Sequence, residues 1–106
     1  MANSYKNALL YLTTTDATTL YTTPAATSAI FRSILVSDDS GSGDTITLTL
    51  TNGANVFSIY KTKTVGANGT EELLTQPLIL EEGQILKVTA TTAARLHVVG
   101  SFLEVT

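Results

Sequence analysis

The chain has no cysteine and no tryptophan among its 106 residues. The first absence excludes disulfides, thiol nucleophiles and thiolate metal sites together, and leaves the redox compartment unreadable. The second removes the aromatic wall that a sugar cleft needs, which counts against a glycosidase and against a glycan-binding module. There is one histidine, His97, whereas a zinc site without cysteine needs two or three imidazoles. Charge is scarce at 14%, and the six basic residues are scattered as Lys6, Arg32, Lys61, Lys63, Lys87 and Arg95. With a net charge of −3 and no basic stripe, nucleic acid is not an expected partner. No apolar run approaches the roughly 20 residues of a membrane helix, so no membrane partner is expected. The opening "MANSYKNALLYL" has neither the basic lead nor the apolar run of a signal peptide. The expectation is a soluble protein, intracellular when made.

What is present is threonine, serine and a 43% apolar fraction. Threonine favours extended backbone while its hydroxyl keeps an exposed face wet. The length suits a single domain with one core. "MANSYKN" (1–7) reads as an N-terminal arm, and 8–106 as the folded domain. "ALLYLTT" and "ATTLYTT" read as strands, with Pro24 ending the second. "SAIFRSILVSD" shows no wholly polar face, which suggests a strand contacting protein on both sides. "TITLTLT" alternates most clearly, with Ile46, Leu48 and Leu50 on one face and threonines on the other. Asn52-Gly53 marks a hairpin turn, "NVFSIYKTK" returns from it, and "ELLTQPLIL" crosses Pro77. "QILKVTATT" and "ARLHVVGSFLEVT" complete eight or nine short strands, with Gly100 suggesting a bulge or a close backbone approach. No segment carries helical spacing, so the fold class is all-β, a sandwich or barrel. A threonine-rich outer face is poorly defended against edge pairing, so the domain is expected to cover its edges with copies of itself.

Candidate chemistry is thin. Glu81 and Glu82, in "LILEEGQILKV", would point to opposite faces of a strand, and Glu-Glu-Gly reads as a hairpin tip reversed by Gly83. Asp38, Asp39 and Asp44 lie in a glycine-rich loop that could offer oxygens to calcium, but the spacing is not that of a helical calcium loop. A solvated connector is the simpler reading. A serine triad would have to join His97 to Ser33 or Ser101, and no nucleophile elbow is present. Asn68-Gly69-Thr70 matches a glycosylation acceptor but reads better as a turn. Tyr5, Tyr11, Tyr21 and Tyr60 would suit an interface or a ligand platform. No catalytic, cofactor or metal residue is assigned.

Several stretches, taken in order, resemble a family of small tailed-bacteriophage virion proteins. They are Leu20-Tyr21-Thr22-Thr23-Pro24-Ala25, Ile34-Leu35-Val36-Ser37, Thr45-Ile46-Thr47-Leu48, the run Leu78–Val88 and the terminal Leu96–Val105. The resemblance covers Leu20 onward; after Pro24 this chain has Ala26 and Thr27 where the family usually has a glycine and a basic residue. It implies a single jelly-roll-like β-sandwich of about eight antiparallel strands, without enzymatic residues or cofactors. It further implies a capsid decoration (cement) protein, a homotrimer bound to the major capsid protein in a virion assembled in the host cytoplasm. A neck, tail or fibre-base accessory protein is the alternative within that class. A host-surface carbohydrate-binding module using the tyrosines and the Asp38–Asp44 loop is the alternative outside it.

Overall fold

A computed structural model of the chain describes residues 2–106 and contains nine strands and no helix among them. In chain order they are β1 (Asn3–Tyr11), β2 (Thr18–Thr22), β3 (Ser28–Asp38), β4 (Asp44–Thr51), β5 (Val56–Val65), β6 (Thr70–Glu72), β7 (Leu78–Leu80), β8 (Ile85–Ala90) and β9 (Leu96–Val105). One sheet runs β1-β9-β3, with β6 and β7 both pairing to the far edge of β3. The other runs β2-β8-β4-β5, and every pairing is antiparallel. β6 and β7 act as one strand interrupted at Leu73–Pro77, which leaves four nested pairs: β1·β9, β2·β8, β3·β6/β7 and β4·β5. A long hairpin wound into two sheets has this topology, that of a jelly roll. The all-β sandwich read from the sequence is therefore the fold.

The core lies between the sheets, where alternate residues of the long strands point inward. From β9 these are Leu96, Val98, Gly100, Phe102 and Glu104, and from β4 they are Ile46 and Leu48. Phe31, Phe102 and Tyr21 form its aromatic centre. The Phe31 and Phe102 rings stack at 4.5 Å, with Tyr21 edge-on to Phe31 at 5.4 Å. Burying one such ring contributes about 1.5–3 kcal/mol. Gly100 lies beside this stack, and a Cβ there would come 3.0 Å from Phe31 Cε2. Of the two readings of Gly100, the close approach is the correct one. The bulge is at Arg32 instead, which is unpaired where Phe31 faces Phe102 and Ser33 faces Ser101.

That bulge corrects the reading of β3. Ala29 and Phe31 point inward before it, and Ile34 and Val36 after it, so the inward phase switches within the strand. Neither sequence face looks polar because each changes sides at Arg32. β1 also begins earlier than expected. Asn3–Asn7 pair in register with Val105–Ser101, so the segment read as an arm is sheet from Asn3 onward; Met1 lies outside the described residues. At β5 neither Val56 nor Phe57 is buried, because the strand runs past the end of the core there. Its turn from β4 spans Asn52–Asn55, and Asn52 Oδ1 accepts from the N–H groups of Ala54 and Asn55.

Candidate functional site

The Glu81-Glu82-Gly83 turn joins β7 in one sheet to β8 in the other, so it is a crossing between sheets and not the tip of a hairpin. Its geometry serves the fold. Gly83 has φ 81° and donates its N–H to Thr23 O at 3.0 Å, while Thr23 N–H donates to Gln84 O at 2.9 Å. Glu82 Oε1 accepts from Ala26 N–H, a residue itself held at φ 54°. Glu81 donates its own N–H to the Gln84 side chain. The Glu82 carboxylate ties the turn to the loop at Ala26, whereas Glu81 takes part through its backbone N–H.

In the Asp38–Asp44 loop the carboxylate of Asp38 is fully engaged. Oδ1 accepts from Ser40 N–H and Oγ–H, and Oδ2 from the N–H groups of Gly41, Gly43 and Asn68, at 2.6–3.1 Å. The Ser40 hydroxyl, with these amides behind it, holds the carboxyl well below its ordinary range. Asp44 accepts from Thr92 N–H at 2.8 Å, and Arg95 reaches Gly43 O at 2.9 Å. No group of three His, Asp or Glu side chains suited to a metal ion occurs among the described residues. The donors to Asp38 close the loop against the turn at Asn68-Gly69, where Gly69 O accepts Asp38 N–H.

His97 lies on the outward face of β9, edge-on to Tyr11 with ring centroids 4.7 Å apart. Ser33 and Ser101 face one another across β3 and β9, but the Ser33 hydroxyl bonds to Glu72 and not to His97. Glu72 also accepts from Ile34 and Leu74 N–H, at 2.8 and 3.1 Å. Burial opposes its ionised form, and these hydrogen bonds outweigh it, so its pKa falls. The tyrosines divide by environment. Tyr21 belongs to the core edge, Tyr60 lies beneath the Lys63 ammonium at 5.2 Å, Tyr5 stands in solvent, and Tyr11 is half exposed with its ring against His97 and its hydroxyl donating to Ala94 O.

Two features escaped the sequence reading. The first is a chain of polar groups centred on the buried Glu104, in which Lys6 Nζ lies 2.7 Å from Glu104 Oε1 and Tyr21 Oη–H donates to Glu104 Oε2 at 2.5 Å. Lys6, then Tyr21, hold the Glu104 carboxyl below its usual range; burial, with the Glu104 charge, pushes the Tyr21 hydroxyl up. The chain ties β1, β2 and β9 together at one end of the core. The parity of β9 could have revealed it, since Glu104 continues the inward series after Phe102.

The second feature is a difference between the two outer faces. That of β2-β8-β4-β5 is carried by Thr45, Thr47, Thr49, Lys87 and Thr89, with Ile85 and the exposed Val56 beside Thr51 at one end. The outer face of the β1-β9-β3 sheet is apolar in two rows across the strands. One row is Tyr5, Leu103, Ile30 and Ile79, and the other is Leu9, Val99 and Leu35. Tyr5 is 83% exposed, Leu9 66% and Ile79 63%. Exposed apolar side chains arranged contiguously mark a surface that meets another molecule. A shallow depression runs along it, lined by Leu9, Tyr11, His97 and Val99.

No described protein family matches the chain, and no curated protein matches it in sequence. Solved structures share the fold. One is a chain of the disulfide-linked pili that form Bacillus endospore appendages, at TM-score 0.58 and 13% identity, covering 98% of this chain and 88% of that one. Another is a pentameric capsid protein from metagenomic phage sequences, solved twice, at TM-score 0.50 and 19% identity. That alignment covers 92% of this chain, which spans 58–60% of the capsid protein. At these identities the likeness is one of fold.

Proposed function

We propose that this chain is a non-enzymatic structural subunit of a bacteriophage virion, a capsid decoration protein that binds the major capsid lattice as a homotrimer. The observation carrying this reading is the apolar outer face of the β1-β9-β3 sheet, set on a jelly roll. A face of this kind supports association through apolar burial and needs little charge, which suits a chain with only 14% charged residues. The shared fold with a phage capsid protein agrees with it. The shared fold with the pili favours a structural role too, although a chain without cysteine has no access to the disulfide linkage those pili are named for. Many weak copies on a repeating lattice would add up through avidity.

Two measurements test the proposal. Light scattering after size exclusion is expected to give three times the chain mass, and the purified protein is expected to co-sediment with heads that lack it. A clean monomer that does not bind heads refutes the reading. Binding to tails in place of heads would move the subunit to the neck or tail.

A further inference from the structure

The sandwich has four open sheet edges, and three carry devices that block pairing with another strand. β2 has five residues and a register shift between Thr19 and Tyr21. β5 is bulged twice against β4, holds Thr62 at φ 50° and carries Lys61 and Lys63. β6 and β7 have three residues each, separated by a segment containing Pro77. β1 differs from all of them. It runs nine residues in unbroken register with β9, without proline or glycine, and Lys6 is its one charged residue. The Lys6 ammonium is already paired with Glu104 on the inward side.

The direction of the free backbone groups follows from the ladder. Ala2 and Thr106 exchange N–H···O bonds at 3.2 and 2.9 Å, and Leu12 N–H donates to Leu96 O at 3.0 Å. Even-numbered residues therefore bond β9, and antiparallel alternation turns the N–H and C=O of Asn3, Tyr5, Asn7, Leu9 and Tyr11 to the open edge. The side chains of these same residues stand on the apolar outer face.

We infer that β1 pairs antiparallel with β1 of a second copy of this chain, about a two-fold axis through Asn7. The sequence "NSYKNALLY" is self-complementary in that register. Asn7 meets Asn7, Tyr5 meets Leu9, and Asn3 meets Tyr11, each as a hydrogen-bonded pair. Tyr5 against Leu9 is an aromatic–aliphatic cross-strand pair, the kind that stabilises a ladder. Lys6 meets Ala8, so no like charges oppose each other. Shifting the axis to Lys6 would place two ammonium groups face to face. The Tyr5 row of one copy then runs on into the Leu9 row of the other, on either side of the polar row Asn7, Ser101 and Ser33. The contact is isologous and closes on itself as a pair of copies. It rests on the fold and on β1 alone, and holds or fails independently of where the protein sits in a virion.

Single-cysteine variants read the register directly, since the chain has no cysteine of its own. Hydrogen-bonded partners in an antiparallel pair have Cα atoms about 5.5 Å apart, within disulfide reach. Under mild oxidation N7C is expected to give a dimer on a non-reducing denaturing gel, as is a mixture of Y5C with L9C. Y5C alone and L9C alone are expected to cross-link far more slowly. Asn7→Pro removes the N–H groups at the axis without touching the β9 ladder. Two lost hydrogen bonds correspond to roughly a tenfold loss of self-association in sedimentation, with an unchanged far-UV circular dichroism spectrum. Cross-linking of N7C no faster than Y5C alone, or an N7P variant that associates like the parent, overturns the inference. A folded N7P variant with weakened association, together with the N7C dimer, supports it.

Discussion

Replacing Gly100 with alanine tests the packing of the core at its tightest point. Gly100 sits in the middle of β9 with Ala8 of β1 on one side and Ile34 of β3 on the other. A Cβ there would lie 3.0 Å from Phe31 Cε2 and 3.6 Å from Leu20 Cδ2. Carbon atoms prefer about 3.5–4.0 Å, so the Phe31 ring must withdraw by roughly half an ångström or more. It has nowhere to go, being fully buried, stacked on Phe102 and edge-on to Tyr21. Overpacking of this kind costs about 1–3 kcal/mol. Loss of glycine's freedom in the unfolded chain offsets about 0.4–1 kcal/mol of that. The expected net effect is a destabilisation of about 1.3 kcal/mol at the middle of both ranges and at most about 2.6 kcal/mol, which lowers the melting temperature by several degrees for a domain of this size. Urea denaturation of Gly100→Ala, Phe31→Leu and the double variant measures it. The double variant should be more stable than the sum of the singles implies, because the smaller side chain makes room for the methyl group. A Gly100→Ala variant more stable than the parent, or a double variant showing no coupling to Phe31→Leu, would refute the close approach.

The turn between sheets should discriminate between its residues. Gly83→Val forces a β-branched side chain to φ 81° and is expected to cost about 1–2 kcal/mol or more, whereas Glu82→Ala, losing one exposed hydrogen bond, should cost less than about 1 kcal/mol. Equal effects in thermal melts would contradict this account of the turn. Thr23 Oγ is buried without a hydrogen-bond partner among the described residues, so Thr23→Val should leave stability unchanged or raise it by up to about 1 kcal/mol; a clear loss would show that the hydroxyl is used. Asp38 and Glu104 have lowered pKa values, Asp38 chiefly through the Ser40 hydroxyl and Glu104 chiefly through Lys6. Their contribution is complete above the unfolded carboxylate range near about pH 4 and is lost as pH falls through the lower folded values. Acid titration followed by near-ultraviolet circular dichroism should show this loss, and Asp38→Asn should flatten it. An acid limb unchanged by Asp38→Asn would count against the role given to that carboxylate.

What could be read from the sequence depended on which force shapes each segment. β4 was legible because side-chain burial dictates it, and alternating Ile46, Leu48 and Leu50 carry that signal openly. The first half of β1 was not, since Asn3–Asn7 bury little and are held by backbone pairing to β9, which leaves no mark on residue type. In β3 the bulge at Arg32 shifted the inward phase, so a strict period of two averaged its faces into an apparently double-sided strand. Turn chemistry identified Glu81-Glu82-Gly83 as a reversal but could not say that the strands on either side belong to different sheets. Asp38 looked like loop solvation because its partners are mostly backbone N–H groups, which every sequence possesses. The apolar outer face was hidden for a related reason. Only the register of β1, β9, β3 and β7 brings Tyr5, Leu103, Ile30 and Ile79 into one row.

The central claim is that this jelly roll serves as a building unit of a virion. Quantitative mass spectrometry of gradient-purified phage heads tests it most directly. The expected result is this chain at many copies per head, in a fixed ratio to the major capsid protein from one preparation to the next. Its absence from heads and tails alike, with the protein recovered only from the soluble lysate, would contradict the claim.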